Sequence, residues 1–291
     1  DDIADKILLR VAEVNRDPAN ISREFIFEPK ARTAGVERGH FTTVGDYSLE
    51  SYLNSCVMPT LRKYDSFSIG LPRKSIAIDH NNVSHAVKIG AIIERERKFY
   101  VTEIGRKFFD CTSFEDAIPI FQEQLLKFYK LAPITRIPHF PYRFALKVLS
   151  QVKKISKFEF AYALFIAKDL GDRGVSEAVE RISYLRETYP RIETLNEANK
   201  DIVLAALNEK FDTTLKIIDI WSTKTTLYNQ FVYLKNHLLI WPGIITPGAK
   251  DIILQPRGEK LISDILENTK EIETCPNDQL LNNFITYKNW L

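Results

Sequence analysis

Between Asn81 and Phe109 the chain reads NNVSHAVKIGAIIERERKFYVTEIGRKFF, and no other stretch narrows the available folds as far. Val83, Ala86, Val87 and Gly90 recur at helical spacing, which predicts a helix with one apolar face and a polar face of Asn82, Ser84, His85 and Lys88. A short apolar strand from Ala91 to Ile93 follows. Glu94, Arg95, Glu96, Arg97 and Lys98 make a charged, solvated tip, and Phe99 to Thr102 is the return strand of a hairpin. Gly105 and the amphipathic Arg106 to Phe109 begin the next helix. Helix, charged hairpin, helix is the outline of a winged helix, a helix-turn-helix variant whose exposed helix can enter the DNA major groove.

The outline occurs twice. Leu227, Phe231, Leu234 and Leu238 are spaced as one face of a second helix. LLIW, a tip from Pro242-Gly243 to Pro247-Gly248, and a strand DIIL come after it. Gln255 to Ile262 then echoes Thr102 to Phe109: Gly258 follows Gly105, and Lys260 follows Lys107, by the same 153 positions. So long a period indicates duplicated subdomains, not a solenoid.

The length of 291 residues accommodates about two domains of ordinary size. Hydrophobic content of 45% and charged content of 27% are those of a soluble globular chain. No apolar run approaches the roughly 20 residues of a membrane span. No signal-peptide pattern opens the chain, which reads as cytoplasmic and without a membrane partner. It begins at Asp1 without an initiator methionine, as a fragment would. Cys56, Cys111 and Cys275 are too few and too scattered for a disulfide framework or zinc knuckle.

A net charge of +2 argues little, but its distribution argues more. From Arg62 to Lys98 eight bases face four acids, and Arg143 to Lys157 holds five bases and no acid. Asp264 to Asp278 holds five acids and one base. Basic stretches near both recognition helices and an acidic C-terminal end fit an electrostatic footprint on one face. Ordinary solvated helix faces give the same runs.

Along the chain, an amphipathic helix spans Ile3 to Val14, and from Glu28 to Thr43 the periodicity vanishes into an arm carrying Lys30, Arg32, Arg38 and His40. Ser48 is placed to cap a helix running toward Leu61, and Ser113 to Asp116 is a capping signal for one running toward Tyr129. Pro133, Pro138 and Pro141 punctuate a break. Helices are then predicted over Phe144 to Val152, from the capping box Ser156-Lys157-Phe158-Glu159 to Gly171 and Gly174, over Val175 to Thr188, and from Thr194 to about Ile220. The expected fold is therefore mainly α with small β-hairpins confined to the wings, as two winged-helix subdomains joined by a helical linker region. Residues 1–44 form the N-terminal helix and arm, 45–112 the first winged-helix subdomain, 113–140 the linker helix and proline break, and 141–291 the second subdomain with C-terminal helices.

The second recognition helix is predicted to begin at Ser222, which leaves Thr223, Lys224, Thr225, Tyr228 and Asn229 outward near its N-terminus. Lys can address guanine O6 and N7, and Asn or Gln can pair bidentately with adenine. The matching candidates in the first unit are Arg73, Lys74, Asn81, Asn82, Ser84, His85 and Lys88. Each alone reads equally as a solvated surface group; two sets, each before a wing, point to the class. The five histidines show no ligand spacing, and no phosphate loop, GxGxxG or GxSxG is present. Glu96-Arg97-Lys98 has the E-x-K shape of a nuclease motif but lies on a predicted wing tip without a partner acid.

The series of arm, winged helix, proline break, FPYRFALKVLSQVKKISKFEFAYALFIAKDL and a second winged helix ending in QPRGEKLISDIL resembles the N-terminal recognition region of type IIS restriction endonucleases of the AlwI, BpuJI and FokI kind, from about Lys30 to Asn289. The resemblance implies that the chain reads a short asymmetric site in double-stranded DNA through Arg32, Arg38 and His40 of the arm and both recognition helices. It also implies that a separate nuclease domain or subunit cuts at a distance using magnesium, with no catalytic residue, metal ligand or cofactor in this chain. The residues leave two other classes open: a winged-helix transcription or replication regulator without nuclease activity, and a protein-interaction module built on winged helices.

Overall fold

Caps and apolar spacing decide where the helices start, and a computed structural model describes residues 41–44, 48–65, 71–72, 86, 88–95, 98–131, 138–270 and 272. Ser48 accepts the amide of Ser51 at 3.1 Å, as its position predicts, and opens α1. Helix α1 runs through Leu49–Tyr52, a π-helical turn Leu53–Val57 and Met58–Asp65. Strands β1 (Leu71–Pro72), β2 (Ile92–Arg95) and β3 (Lys98–Val101) form an antiparallel sheet in the order β1-β3-β2. Arg95 pairs with Lys98. Glu94, Arg95 and Lys98, expected in the charged tip, are therefore paired strand residues. Thr102 is not strand but the N-cap of α2 (Glu103–Phe109): its hydroxyl takes the amide of Gly105 at 3.0 Å. Helix α3 (Phe114–Lys127) starts at a complete Ser113/Asp116 capping box, as predicted.

Short strands β4 (Lys130–Leu131) and β5 (Pro138–His139) pair next, and α4 (Pro141–Val152) ends where Lys153 turns left-handed at φ 63°. Strand β6 (Lys154–Ile155) leads to the Ser156/Glu159 capping box that opens α5, Lys157–Glu159 continued by a π-helical Phe160–Phe165. The glycines expected to end α5 do something else. Gly171 is the N-cap of α6 (Asp172–Thr188), and a Cβ on Gly174 would lie 1.9 Å from the carbonyl oxygen of Asp169. After a 3₁₀ turn, Ile192–Thr194, Asn196 rather than Thr194 caps α7 (Glu197–Phe211), accepting the Asn199 amide at 3.0 Å. The predicted continuation to Ile220 fails at Asp212, which takes φ 50° and ends the helix. Aspartate tolerates this left-handed conformation better than most residues. Helix α8 (Ile217–Trp221) is separate, and α9 (Thr226–Leu238), β7 (Ile252–Ile253) and α10 (Gly258–Asn268) complete the described chain.

LLIW is not a strand. Leu238 ends α9, and Ile240 and Trp241 bond back to His237 and Leu238 in a tight turn. All three side chains but not Leu239 are buried, and Gln122 Nε2 donates to the Ile240 carbonyl at 2.6 Å. Burial against α3 thus overrides the strand propensity of this apolar run. The hairpin begins later, where Ile245 bridges Leu254. Nor are strands confined to hairpin tips: β7 pairs with β6, across about a third of the chain.

The two halves nevertheless repeat at the predicted offset. Ile92 pairs with Val101, and 153 positions on Ile245 bridges Leu254. The Ala91 carbonyl takes the Thr102 amide at 3.1 Å, and the equivalent Ile244 carbonyl takes the Gln255 amide at 2.8 Å. Gly90 and Gly243 both have positive φ, 73° and 88°. Gly90 is thus a helix stop, closed by a bond from the Ala91 amide to the Ala86 carbonyl, and not a member of the predicted apolar face. One core joins the halves: Phe108 and Tyr52 pack on Phe121, Phe128 packs on Tyr142, and Phe41 lies between Phe144 of α4 and Phe160 of α5, which packs on Phe231 of α9. The architecture is mainly helical, as expected.

Candidate nucleic-acid interface

Helices α8 and α9 are joined by a four-residue turn, Ser222 to Thr225, and pack against each other. The turn is fixed at both ends. Ser222 Oγ accepts the Lys224 amide at 3.0 Å, and Thr225 Oγ1 accepts the Tyr228 amide at 3.2 Å as the N-cap of α9. Thr225 Oγ1 also donates to the Asp219 carbonyl of α8 at 3.4 Å. The helix therefore starts at Thr226, four residues after the predicted start. Leu227, Phe231, Leu234 and Leu238 are buried as the periodicity predicts, together with His237. Thr223, Lys224 and Asn229 are exposed, while Thr225 and Tyr228 are half-buried because both serve the cap and the packing beneath it.

Folding brings a cation here that the sequence reading missed. Lys157 Nζ of α5 lies 5.9 Å from the Tyr228 ring centroid and 5.1 Å from that of Phe158. Burial, then the charge of Lys250, holds the Lys157 ammonium below the usual lysine range, against an opposing pull from Glu193. Lys250 pairs with Glu193, whose carboxylate raises the Lys250 ammonium. Lys235 of α9 donates to the Ala249 carbonyl at 3.0 Å and ties the helix to the hairpin. In the sequence Lys157 stood only as the end of a basic run and as a member of a capping box, neither of which says what it faces. The rest of the basic run from Arg143 is not one surface: Arg143 is 1% exposed, Lys147 pairs with Asp172 at 2.9 Å and Lys154 with Asp251 at 2.8 Å.

Residues 41–44, the end of the predicted arm, are docked against α9. Phe41 meets Phe160 edge-on at 5.3 Å. The Val44 amide donates to the Tyr142 hydroxyl at 3.1 Å, and that hydroxyl lies 2.8 Å from Nδ1 of the fully buried His237. The hydroxyl thus accepts from Val44 and shares a hydrogen bond with the imidazole, a buried chain from the arm through α4 to α9. Tyr142→Phe is expected to lower stability by about 1–3 kcal/mol, the range for removing a partner from buried polar groups. A urea midpoint would check this, and an unchanged midpoint would show that the hydroxyl contributes nothing.

Of the remaining predicted residues, Lys88 is half-buried at the end of a helical segment, and burial lowers its ammonium. Arg32, Arg38, His40, Arg73, Lys74, Asn81, Asn82, Ser84 and His85 lie outside the described residues. Among the described residues no three histidine, cysteine or carboxylate side chains gather. None of the described helices is long and apolar enough to cross a membrane.

The model of the AlwI restriction endonuclease family matches residues 87–286. No curated protein matches the chain. Among solved structures, a complex of pyrene- and phenanthrene-modified DNA with the BpuJ1 endonuclease binding domain is similar, with 13% identity over 79% of this chain and 86% of that one and a TM-score of 0.47.

Proposed function

The chain belongs to the AlwI restriction endonuclease family, and from that premise we propose that it binds double-stranded DNA sequence-specifically, as the target-recognition part of a type IIS restriction endonuclease. In this reading both hairpins are wings, and a short asymmetric site is read by α9, by the first recognition helix with Arg73, Lys74, Asn81, Asn82, Ser84, His85 and Lys88, and by Arg32, Arg38 and His40 of the arm. The observation that carries it is the presentation of Thr223 and Lys224 on the turn leading into α9, and of Asn229 on its first turn, beside a helix face locked in the core. Helix-turn-helix readers meet base edges at this position. Lys224 suits guanine and Asn229 suits adenine; Thr225 and Tyr228 shape the cap, and Lys157 is placed for a phosphate. Cleavage, with its magnesium, is assigned to a separate nuclease domain or subunit, and the chain works in the cytoplasm.

The test is selection from a randomised duplex library in the presence of competitor DNA. Retention of one short asymmetric site is expected, because one chain with two unlike readers has no reason to prefer symmetry. A palindromic site would instead favour a winged-helix regulator, and no enrichment would leave the wings as scaffolding. On the selected site, Lys224→Ala and Asn229→Ala should each cost about 1–3 kcal/mol of discrimination at a single base pair. A uniform loss across all sequences would make them phosphate contacts.

A further inference from the structure

We propose that Gln230 is a positioning residue that latches the N-terminal arm to α9, so that arm and helix meet DNA as one reader; the inference rests on the DNA-reading function proposed above. Gln230 Oε1 accepts both the Thr43 amide, at 2.7 Å, and the Thr43 hydroxyl, at 2.9 Å. A backbone N–H can only donate, so the atom facing it is the amide oxygen whichever way a side-chain amide is built. Two further contacts pin the same four-residue segment along the same helix. Val44 reaches His237 through Tyr142, seven residues and about two turns beyond Gln230. Phe41 packs on Phe160, which in turn packs on Phe231 at 5.6 Å. The chain thus enters the described fold beside the first two turns of α9, one residue from the exposed Asn229.

The latch also sorts the amides of the recognition helix. An amide reads adenine bidentately only if both its oxygen and its nitrogen are available. Gln230 has committed its oxygen to Thr43, so it leaves the base-reading set and Asn229 remains. Arg32 and Arg38 lie upstream of the latch on the same chain. Holding Thr43 against the helix raises the effective concentration of these bases at the DNA that α9 engages.

The experiment is a double-mutant cycle in the full chain, with two readouts. In the free protein, Gln230→Leu should speed trypsin cleavage after Arg38 by about tenfold, with cleavage in the folded body unchanged, as local opening predicts. Gln230→Glu, which keeps the acceptor, should restore the wild-type rate. On the library-selected duplex, Gln230→Leu should weaken binding by about tenfold with the native arm and by less than about twofold in an Arg32→Ala/Arg38→Ala background, because the two changes remove the same contribution. Equal losses in both backgrounds would overturn the proposal, since Gln230 would then act on DNA or on the helix alone. An unchanged trypsin rate would overturn it as well. If the wild-type chain retains no duplex, the DNA reading itself fails, and the trypsin comparison still decides whether the latch exists.

Discussion

Gly105→Ala and Gly258→Ala should each destabilise the protein by about 3 kcal/mol, the upper end of the cost of adding a methyl to a packed site. A Cβ on Gly105 would lie 2.3 Å from the Ala91 carbonyl oxygen and 2.7 Å from Val101 Cγ1. On Gly258 it would lie 2.6 Å from the Ile244 carbonyl oxygen and 2.6 Å from Leu254 Cδ1. The two sites are the same site in the two repeats. Each glycine lies in the first turn of the helix after the hairpin and presses against a backbone carbonyl, which cannot rotate away as a side chain could. The carbonyl it meets already accepts the amide that closes the hairpin, from Thr102 or Gln255. Moving the carbonyl therefore breaks that bond too. Alanine's better helix propensity returns at most about 1 kcal/mol. Gly248 is the control: it has φ 73° but nothing within 4 Å of its Cβ position, so Gly248→Ala carries only backbone strain, about 1–2 kcal/mol. Thermal and urea midpoints check all three. If Gly105→Ala or Gly258→Ala were as mild as Gly248→Ala, the close approach and the duplication built on it would be wrong.

The same comparison shows why some of the fold was legible and some was not. Gly105 and Gly258 were visible as an echo because the contact they make is local and recurs with its neighbours. Caps were legible for the same reason: Ser48, Ser113 and Ser156 bind amides three residues away. Thr194 misled because Asn196, two residues on, offers a better-placed acceptor. LLIW was read as a strand because apolar runs of four do not reveal whether they pair or pack; α3, more than a hundred residues upstream, decides it. The β6–β7 pairing and the seat of Lys157 between Phe158 and Tyr228 also depend on contacts between residues far apart in the chain. At the candidate interface the exposure of Asn229 was legible, because it follows from the buried stripe beside it. The role of Gln230 was not, since only the docking of Thr43 separates it from Asn229.

Phe160→Ala should cost about 3–5 kcal/mol, as removal of a fully buried aromatic ring does. The Phe160 side chain is 0% exposed and shares ring contacts with Phe41 at 5.3 Å, Phe231 at 5.6 Å and Phe165 at 6.2 Å. Those partners belong to the arm, to α9 and to α5 itself, so one truncation withdraws support from three elements. The position also begins the π-helical stretch Phe160–Phe165, whose extra residue per turn turns consecutive apolar side chains into the core. Phe165→Ala is the comparison: it loses a ring of the same size but leaves Phe41 against Phe144 and Phe160. Both variants should unfold at lower urea. Only Phe160→Ala should also expose the arm to trypsin and, on the proposed function, relax discrimination at the base pair proposed for Asn229, because it alone loosens Phe41 and Phe231 together. Equal effects of the two variants on arm cleavage would mean that Phe160 is core filling with no special hold on the reader. A difference would place α9 and the arm on one aromatic foundation, with Phe160 holding both from within the core.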